Sequence, residues 1–112
     1  MIGVSNTEST ARRTTLFRGL GEPSRLSILE ALVEGPRSVS EISEFAGLSQ
    51  PNTSNHLSCL LGCGLVTREQ QGRFAYYRLA DAQLISLLSL AEEIVNGVAS
   101  DLLKCPHCRT SG

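Results

Sequence analysis

The stretch Ser38–Val66, SVSEISEFAGLSQPNTSNHLSCLLGCGLV, decides the fold. It opens with Ser38-x-x-Glu41, a capping box in which each side chain satisfies the other residue's free backbone N–H, so a helix is expected from Val39. Val39, Ile42, Phe45 and Ala46 then recur at helical spacing on one face, and Gly47 stands where a left-handed C-terminal residue is wanted. After Leu48 the chain restarts. Ser49 is an N-cap type, Pro51 lies in the first turn where its missing N–H costs nothing, and a second helix runs to about Gly62. Two short helices joined by a Gly-containing turn read as helix-turn-helix.

At about 100° per residue, Thr53, Leu57, Leu60 and Leu61 of the second helix gather on one side, with Pro51, Asn52, Asn55, Ser58, Cys59 and Gly62 opposite. The outward face is polar and uncharged. Amide and hydroxyl groups near a helix N-terminus suit base edges in a major groove, where Asn and Gln pair bidentately with adenine. Gln50, Asn52, Ser54 and Asn55 are the candidate readers, and His56 sits among them as a phosphate or base-edge neighbour. An ordinary solvated face is the alternative for such a helix taken alone.

The rest of the chain supplies the context. With 112 residues, 41% of them hydrophobic and 19% charged, it suits one small domain, and an apolar surface left over would imply a dimer. A net charge of -1 argues against a general nucleic-acid coat, so DNA binding must rest on local charge. Neither a membrane-length apolar run nor a signal-peptide pattern is present, and a cytoplasmic location is expected. Residues 1–8 read as a disordered N-terminal tail, residues 9–103 as the domain, and residues 104–112 as a Cys-rich C-terminal tail. Within the domain, Ala11 to Leu20 is expected to be a short helix, with Leu16, Phe17 and Leu20 toward the core and Arg12, Arg13 and Arg18 free for phosphate or solvent. A core helix follows from Pro23, apolar through Leu26, Ile28, Leu29, Leu32 and Val33, and stops at Gly35-Pro36.

Behind the helix-turn-helix, Leu65 to Glu69 and Phe74 to Leu79 flank Gln70-Gln71-Gly72-Arg73 and read as a β-hairpin, the wing. Arg68, Arg73 and Arg78 give it positive charge, and Arg73 at the tip is the phosphate or minor-groove candidate. Alternation along the strand sends Tyr77 and Leu79 to the core. Asp81 then caps a last helix in which Leu84, Leu88, Ala91, Val95, Val98 and Leu102 form a seam, widened by Leu87, Leu90 and Ile94. So broad an apolar surface needs a second copy to cover it, and an isologous homodimer is the expected solution. The fold class is therefore mainly α with a small β-hairpin, a homodimeric winged helix-turn-helix.

Four cysteines in a reducing compartment point to metal or redox chemistry more than to structural disulfides. Cys59 and Cys63, four positions apart, project to one side of the recognition helix and can grip one ion. The tail adds Cys105-Pro106-His107-Cys108. Thiolates in this number select soft metals such as Cd(II), Pb(II), Zn(II) or Cu(I).

The run LGEPSRLSILEALVEG from Leu20, with Leu20, Pro23, Arg25, Ile28 and Leu29 in a Leu-x-x-Pro-x-Arg-x-x-Ile-Leu pattern, resembles the ArsR/SmtB family of bacterial repressors, and the likeness extends from about Leu16 through Leu103. It implies a winged helix-turn-helix, dimerised through its first and last helices, that represses transcription from double-stranded operator DNA. The segment HLSCLLGCGLV from His56 is similar to the CmtR-like cadmium and lead sensors of that family. That likeness implies a metal site of Cys59, Cys63 and a tail cysteine from the other protomer, Cys105, with Cys108 as the alternative or fourth ligand. The family's cysteine pair in the first helix of the motif and its zinc-site histidines in the last helix are missing here, which points away from arsenic and zinc sensing.

The expected function is a repressor that binds a palindromic operator as a dimer and is released by Cd(II) or Pb(II), with Zn(II) a further candidate. A thiol-redox repressor, a structural zinc held by Cys105 and Cys108, and a winged-helix protein-interaction module are the alternatives. No nucleophile, base and orienting group stand at recognisable spacing, so no enzyme activity is expected.

Overall fold

The computed structural model describes residues 6–97. Eight elements follow in order: α1 Asn6–Leu20, α2 Pro23–Ala31, β1 Arg37–Ser38, α3 Val39–Ala46, α4 Gln50–Gly62, β2 Val66–Gln71, β3 Phe74–Leu79 and α5 Gln83–Asn96. Helix α1 begins at Asn6, so residues 6–8 extend the first helix where a tail was expected. The break at Gly21 and the restart at Pro23 follow the sequence reading, with Glu22 as N-cap of α2 through a 2.9 Å bond from the Arg25 backbone N–H.

The capping box of α3 is complete: the Ser38 N–H donates to Glu41 Oε1 at 2.9 Å and the Glu41 N–H donates to Ser38 Oγ at 3.3 Å. Gly47 closes α3 with φ 69°, the left-handed conformation that a side chain would strain. Its own N–H and that of Leu48 both return to the Ser43 carbonyl, and this double closure aims the chain at α4. There Ser49 accepts from the Asn52 N–H at 3.2 Å. Thr53, Leu57 and Leu60 are buried under α4 as their spacing required, and the Thr53 hydroxyl meets its hydrogen-bonding need at the Ser49 carbonyl, 2.9 Å away.

Leu57 and Leu60 join Ile28 and Leu29 of α2, Leu32 at its C-cap and Ile42 of α3 in one core, so α2 is the hub on which both helices of the motif rest. The hairpin pairs Val66 with Leu79 through Gln71 with Phe74, leaving Gly72-Arg73 as a two-residue turn with Gly72 at φ 63°. Strand β1, too short to recognise in the sequence, pairs Arg37 with Tyr77 and Ser38 with Tyr76, giving the sheet order β1-β3-β2. Tyr77 is buried and Leu79 packs at the edge of the core. Asp81 caps α5 from just outside it, its Oδ1 accepting from the Gln83 N–H at 2.8 Å, while Ala82 holds the N-cap position.

Two aromatic expectations fail. Phe17 is 55% exposed, because Leu16 and Leu20 take the inward face of α1 and Phe17 falls about 100° round from Leu16. Phe45 is also 55% exposed and lies under the Arg37 guanidinium, 5.8 Å from ring centroid to Cζ, at the border of its helix. On α5, Leu84 is buried and Leu87 and Leu88 pack against the core, whereas Leu90, Ala91, Ile94 and Val95 remain exposed. The seam residues Val98 and Leu102 lie outside the described residues. No helix among the described residues is long and apolar enough to cross a membrane.

Candidate DNA interface and metal centre

Gln50, Asn52, Ser54 and Asn55 are all exposed on the first half of α4, while His56 is half-buried. His56 also acts electrostatically on Glu22, the N-cap of α2. The Glu22 carboxyl is held below the usual carboxylate range, first by the Arg25 backbone N–H and then by the Ser24 N–H and the charge of His56. Gln50 is itself tied back, its Nε2 donating to Ser40 Oγ at 3.4 Å, which brings exposed Ser40 of α3 beside the reading face. Ser40 was missed in the sequence because the contact joins residues across the turn.

The arginines divide by partner. Arg25 donates to the Gly19 and Arg18 carbonyls and Arg37 donates to the Ala31 carbonyl at 2.6 Å, so both fasten helix ends. Arg13 bonds Ser9 and Thr10 within its own helix. On the wing, Arg78 pairs with Glu69 at 3.3 Å and Arg68 bonds neutral Gln70 at 3.1 Å. Arg73, at the turn, is exposed and has no side-chain hydrogen bond or ion pair among the described residues. Its charge is the one on the wing least compensated within the fold.

Cys59 and Cys63 are both free and exposed. Cys59 lies on the last turn of α4 and Cys63 is its C-cap, with the Cys63 N–H donating to the Cys59 carbonyl at 3.0 Å. The helix therefore carries its reading residues at one end and two thiols at the other. The thiols line a cleft of about 170 Å³ with Thr15, Arg18 and Gly19 of α1, Arg25 of α2, and Leu60 and Leu65. The sequence assigned Arg18 to phosphate or solvent; its place beside the cysteines depends on how α1 crosses α4, for which no local signal exists.

A soft metal ion fits this donor set in kind, since both groups are thiols and one helical turn separates them. In number the set is short: no group of three or more His, Cys, Asp or Glu that could hold an ion occurs among the described residues. Cys105, His107 and Cys108 lie outside those residues.

Comparison with known proteins agrees with this architecture. Residues 22–68 match the family model of bacterial regulatory proteins, arsR family. The chain is 37% identical over 105 residues to a probable mercury resistance operon repressor of Streptomyces lividans, covering 94% of this chain and 82% of that protein. It is 42% identical over 86 residues to the transcriptional regulator CmtR of Mycobacterium tuberculosis, covering 77% and 73%. The solution structure of that protein, described as a cadmium metal-sensor, aligns with TM-score 0.62 over 79% of this chain and 85% of its own. A homodimeric winged helix-turn-helix DNA-binding domain, Mb0332 of Mycobacterium bovis, aligns with TM-score 0.71 at 28% identity over 93% and 94%. With the capped helix-turn-helix, the wing and these relatives together, the chain belongs to the ArsR family of winged helix-turn-helix bacterial regulatory proteins, and it is a transcriptional regulator, not an enzyme.

Proposed function

We propose that this protein is a cytoplasmic repressor that binds a palindromic operator as a homodimer and leaves it when a thiophilic metal, Cd(II) or Pb(II), binds Cys59 and Cys63. One observation carries the reading: the reading residues and the thiols occupy opposite ends of one rigid helix, α4. Asn52 and Cys59 are seven residues apart, about 10 Å along the axis at 1.5 Å per residue. A 10° tilt about the thiol end would then carry Asn52 by about 2 Å, enough to break hydrogen bonds to base edges that need roughly 2.9 Å. Gln50, Asn52, Ser54 and Asn55 read the major groove, His56 borders them, and Arg73 holds phosphate from each wing.

The dimer forms through α1 and α5, whose Phe17, Leu90, Ile94 and Val95 are otherwise left to solvent. Cys105 or Cys108 completes the site from the tail. When bound, the metal supplies a crosslink between sulfurs; the resistance of α4 to bending turns that crosslink into motion at the reading face.

A second reading has Hg(II) as the inducer. The mercury resistance repressor of S. lividans supports it. So does the pair of sulfurs, because Hg(II) is satisfied by two thiolates in line where Cd(II) and Pb(II) want three or four. Fluorescence anisotropy of the upstream promoter fragment, with reduced protein at fixed salt, tests both. Release by Cd(II) or Pb(II) supports the first reading, and release by Hg(II) alone supports the second. Release by a metal-free oxidant, reversed by a thiol reductant, would favour a redox repressor, and no binding under any condition would favour a protein-interaction module.

A further inference from the structure

We infer that the cleft beside Cys59 and Cys63 admits the hydrocarbon group of an organomercury cation, R–Hg⁺, so that the thiol pair takes organomercurials as well as bare ions. This rests on the metal-binding reading of the two cysteines and specifies a ligand class for that site.

The walls of the cleft favour such a group. The cleft runs between α1 and the end of α4, and beside the two thiols nearly all of its surface is apolar: Leu60 and Leu65, Gly19 with no side chain, and parts of Thr15, Arg18 and Arg25. The Arg25 guanidinium is occupied by the Gly19 and Arg18 carbonyls, to which it donates at 3.2 and 3.4 Å. A bare divalent ion gains nothing from such walls, because its bonds go to sulfur. A hydrocarbon group does gain, through the apolar surface it withdraws from water. The size is suitable: an apolar cavity of about 150 Å³ holds benzene, and this cleft measures about 170 Å³. Gly19 makes room, since a Cβ built there would stand 3.6 Å from Leu65 Cδ1, in ordinary contact, and anything longer would enter the cleft.

The chemistry is a ligand exchange. In R–Hg–X + HS–Cys → R–Hg–S–Cys + H⁺ + X⁻, the Hg–X bond breaks, an Hg–S bond forms, the proton goes to solvent and the C–Hg bond stays intact. Mercury remains two-coordinate with one sulfur and one carbon, and the second thiol of the pair is free to compete for it. No oxidant or reductant is required.

The test uses the full-length reduced protein and three probes, phenylmercuric acetate, methylmercuric chloride and mercuric chloride, each competed against glutathione and read by calorimetry and by intact mass. Phenylmercury is expected to bind roughly tenfold more tightly than methylmercury relative to glutathione, about 1.4 kcal/mol. Gly19→Leu, which fills the cleft, is expected to remove that preference and leave mercuric ion within twofold; Gly19→Ala should fall between. Thermal unfolding establishes that both variants fold, and the graded Ala variant keeps the test valid if the Leu variant does not. Equal affinity of phenyl and methyl, or an equal effect of Gly19→Leu on all three probes, overturns the inference and leaves the ion site standing. If mercuric ion binds Cys59→Ser and Cys63→Ser as well as it binds the parent chain, the underlying reading falls and the inference with it.

Discussion

Removing Arg73 is expected to change the salt dependence of operator binding by an amount that follows from its lack of a partner. Each phosphate neutralised by a basic side chain contributes about 0.9 to the slope of log K against log salt on duplex DNA. A dimer presents two wings, so Arg73→Ala should flatten the slope by about 1.8. Between 50 and 200 mM salt, a fourfold change, that difference amounts to about 12-fold in affinity: the parent protein loses about 12-fold more than the variant across the range. Arg78→Ala is the internal comparison. Its guanidinium lies 3.3 Å from Glu69, so removing it exposes a carboxylate on the strand without deleting an uncompensated cation. It should weaken binding by like-charge repulsion, with a smaller change of slope than Arg73→Ala. The assay is fluorescence anisotropy of operator DNA at four salt concentrations. An unchanged slope for Arg73→Ala, or an equal change for both variants, would refute the assignment of the phosphate contact to the wing tip.

Further outcomes concern the scaffold and the reading face. Leu57→Ala, at a side chain with no exposure at the centre of the core, should cost about 2–5 kcal/mol and lower the urea midpoint with little change in the m value. Ile94→Glu, at a residue 47% exposed in the single chain, should leave the fold intact and shift sedimentation from dimer to monomer; a variant that stays dimeric would move the interface elsewhere. The Glu41 carboxyl is held below its usual value of 4.5 chiefly by the Ser38 backbone N–H, so its contribution to stability is present above that value and is lost as pH falls through the lower native one. Glu41→Gln should therefore remove part of the acid-side loss of stability below about pH 4.5, read as a smaller fall in thermal midpoint from pH 5 to pH 3.

What could be read from the sequence was what local chemistry determines. The capping box at Ser38 and Glu41, the left-handed Gly47 and the Ser49-Pro51 start are each set within a few residues, and all three stand where expected. The buried face of α4 followed from helical period alone. Period could not decide Phe17 and Phe45, which lie at the border of an apolar face where tertiary packing chooses between core and solvent. Strand β1 has two residues and exists only because β3 offers it an edge. At the candidate site, Cys59 and Cys63 were visible as a pair because four positions make one turn. The Arg18, Gly19 and Thr15 wall beside them was not, since α1 reaches α4 only through the folded chain. The charge pattern of the wing was likewise half legible: three arginines were evident, but the Glu69 bond that occupies Arg78 is a diagonal pair across two strands.

The proposed function requires that the thiols at one end of α4 govern the reading face at the other. The most direct measurement is operator release by Cd(II) from the reduced parent protein and from Cys59→Ser, with thiolate-to-metal absorption followed in the same samples. At saturating Cd(II), the parent is expected to lose operator affinity at least tenfold, about 1.4 kcal/mol of coupling, and the variant to lose none. Equal release of DNA from both proteins would contradict that requirement.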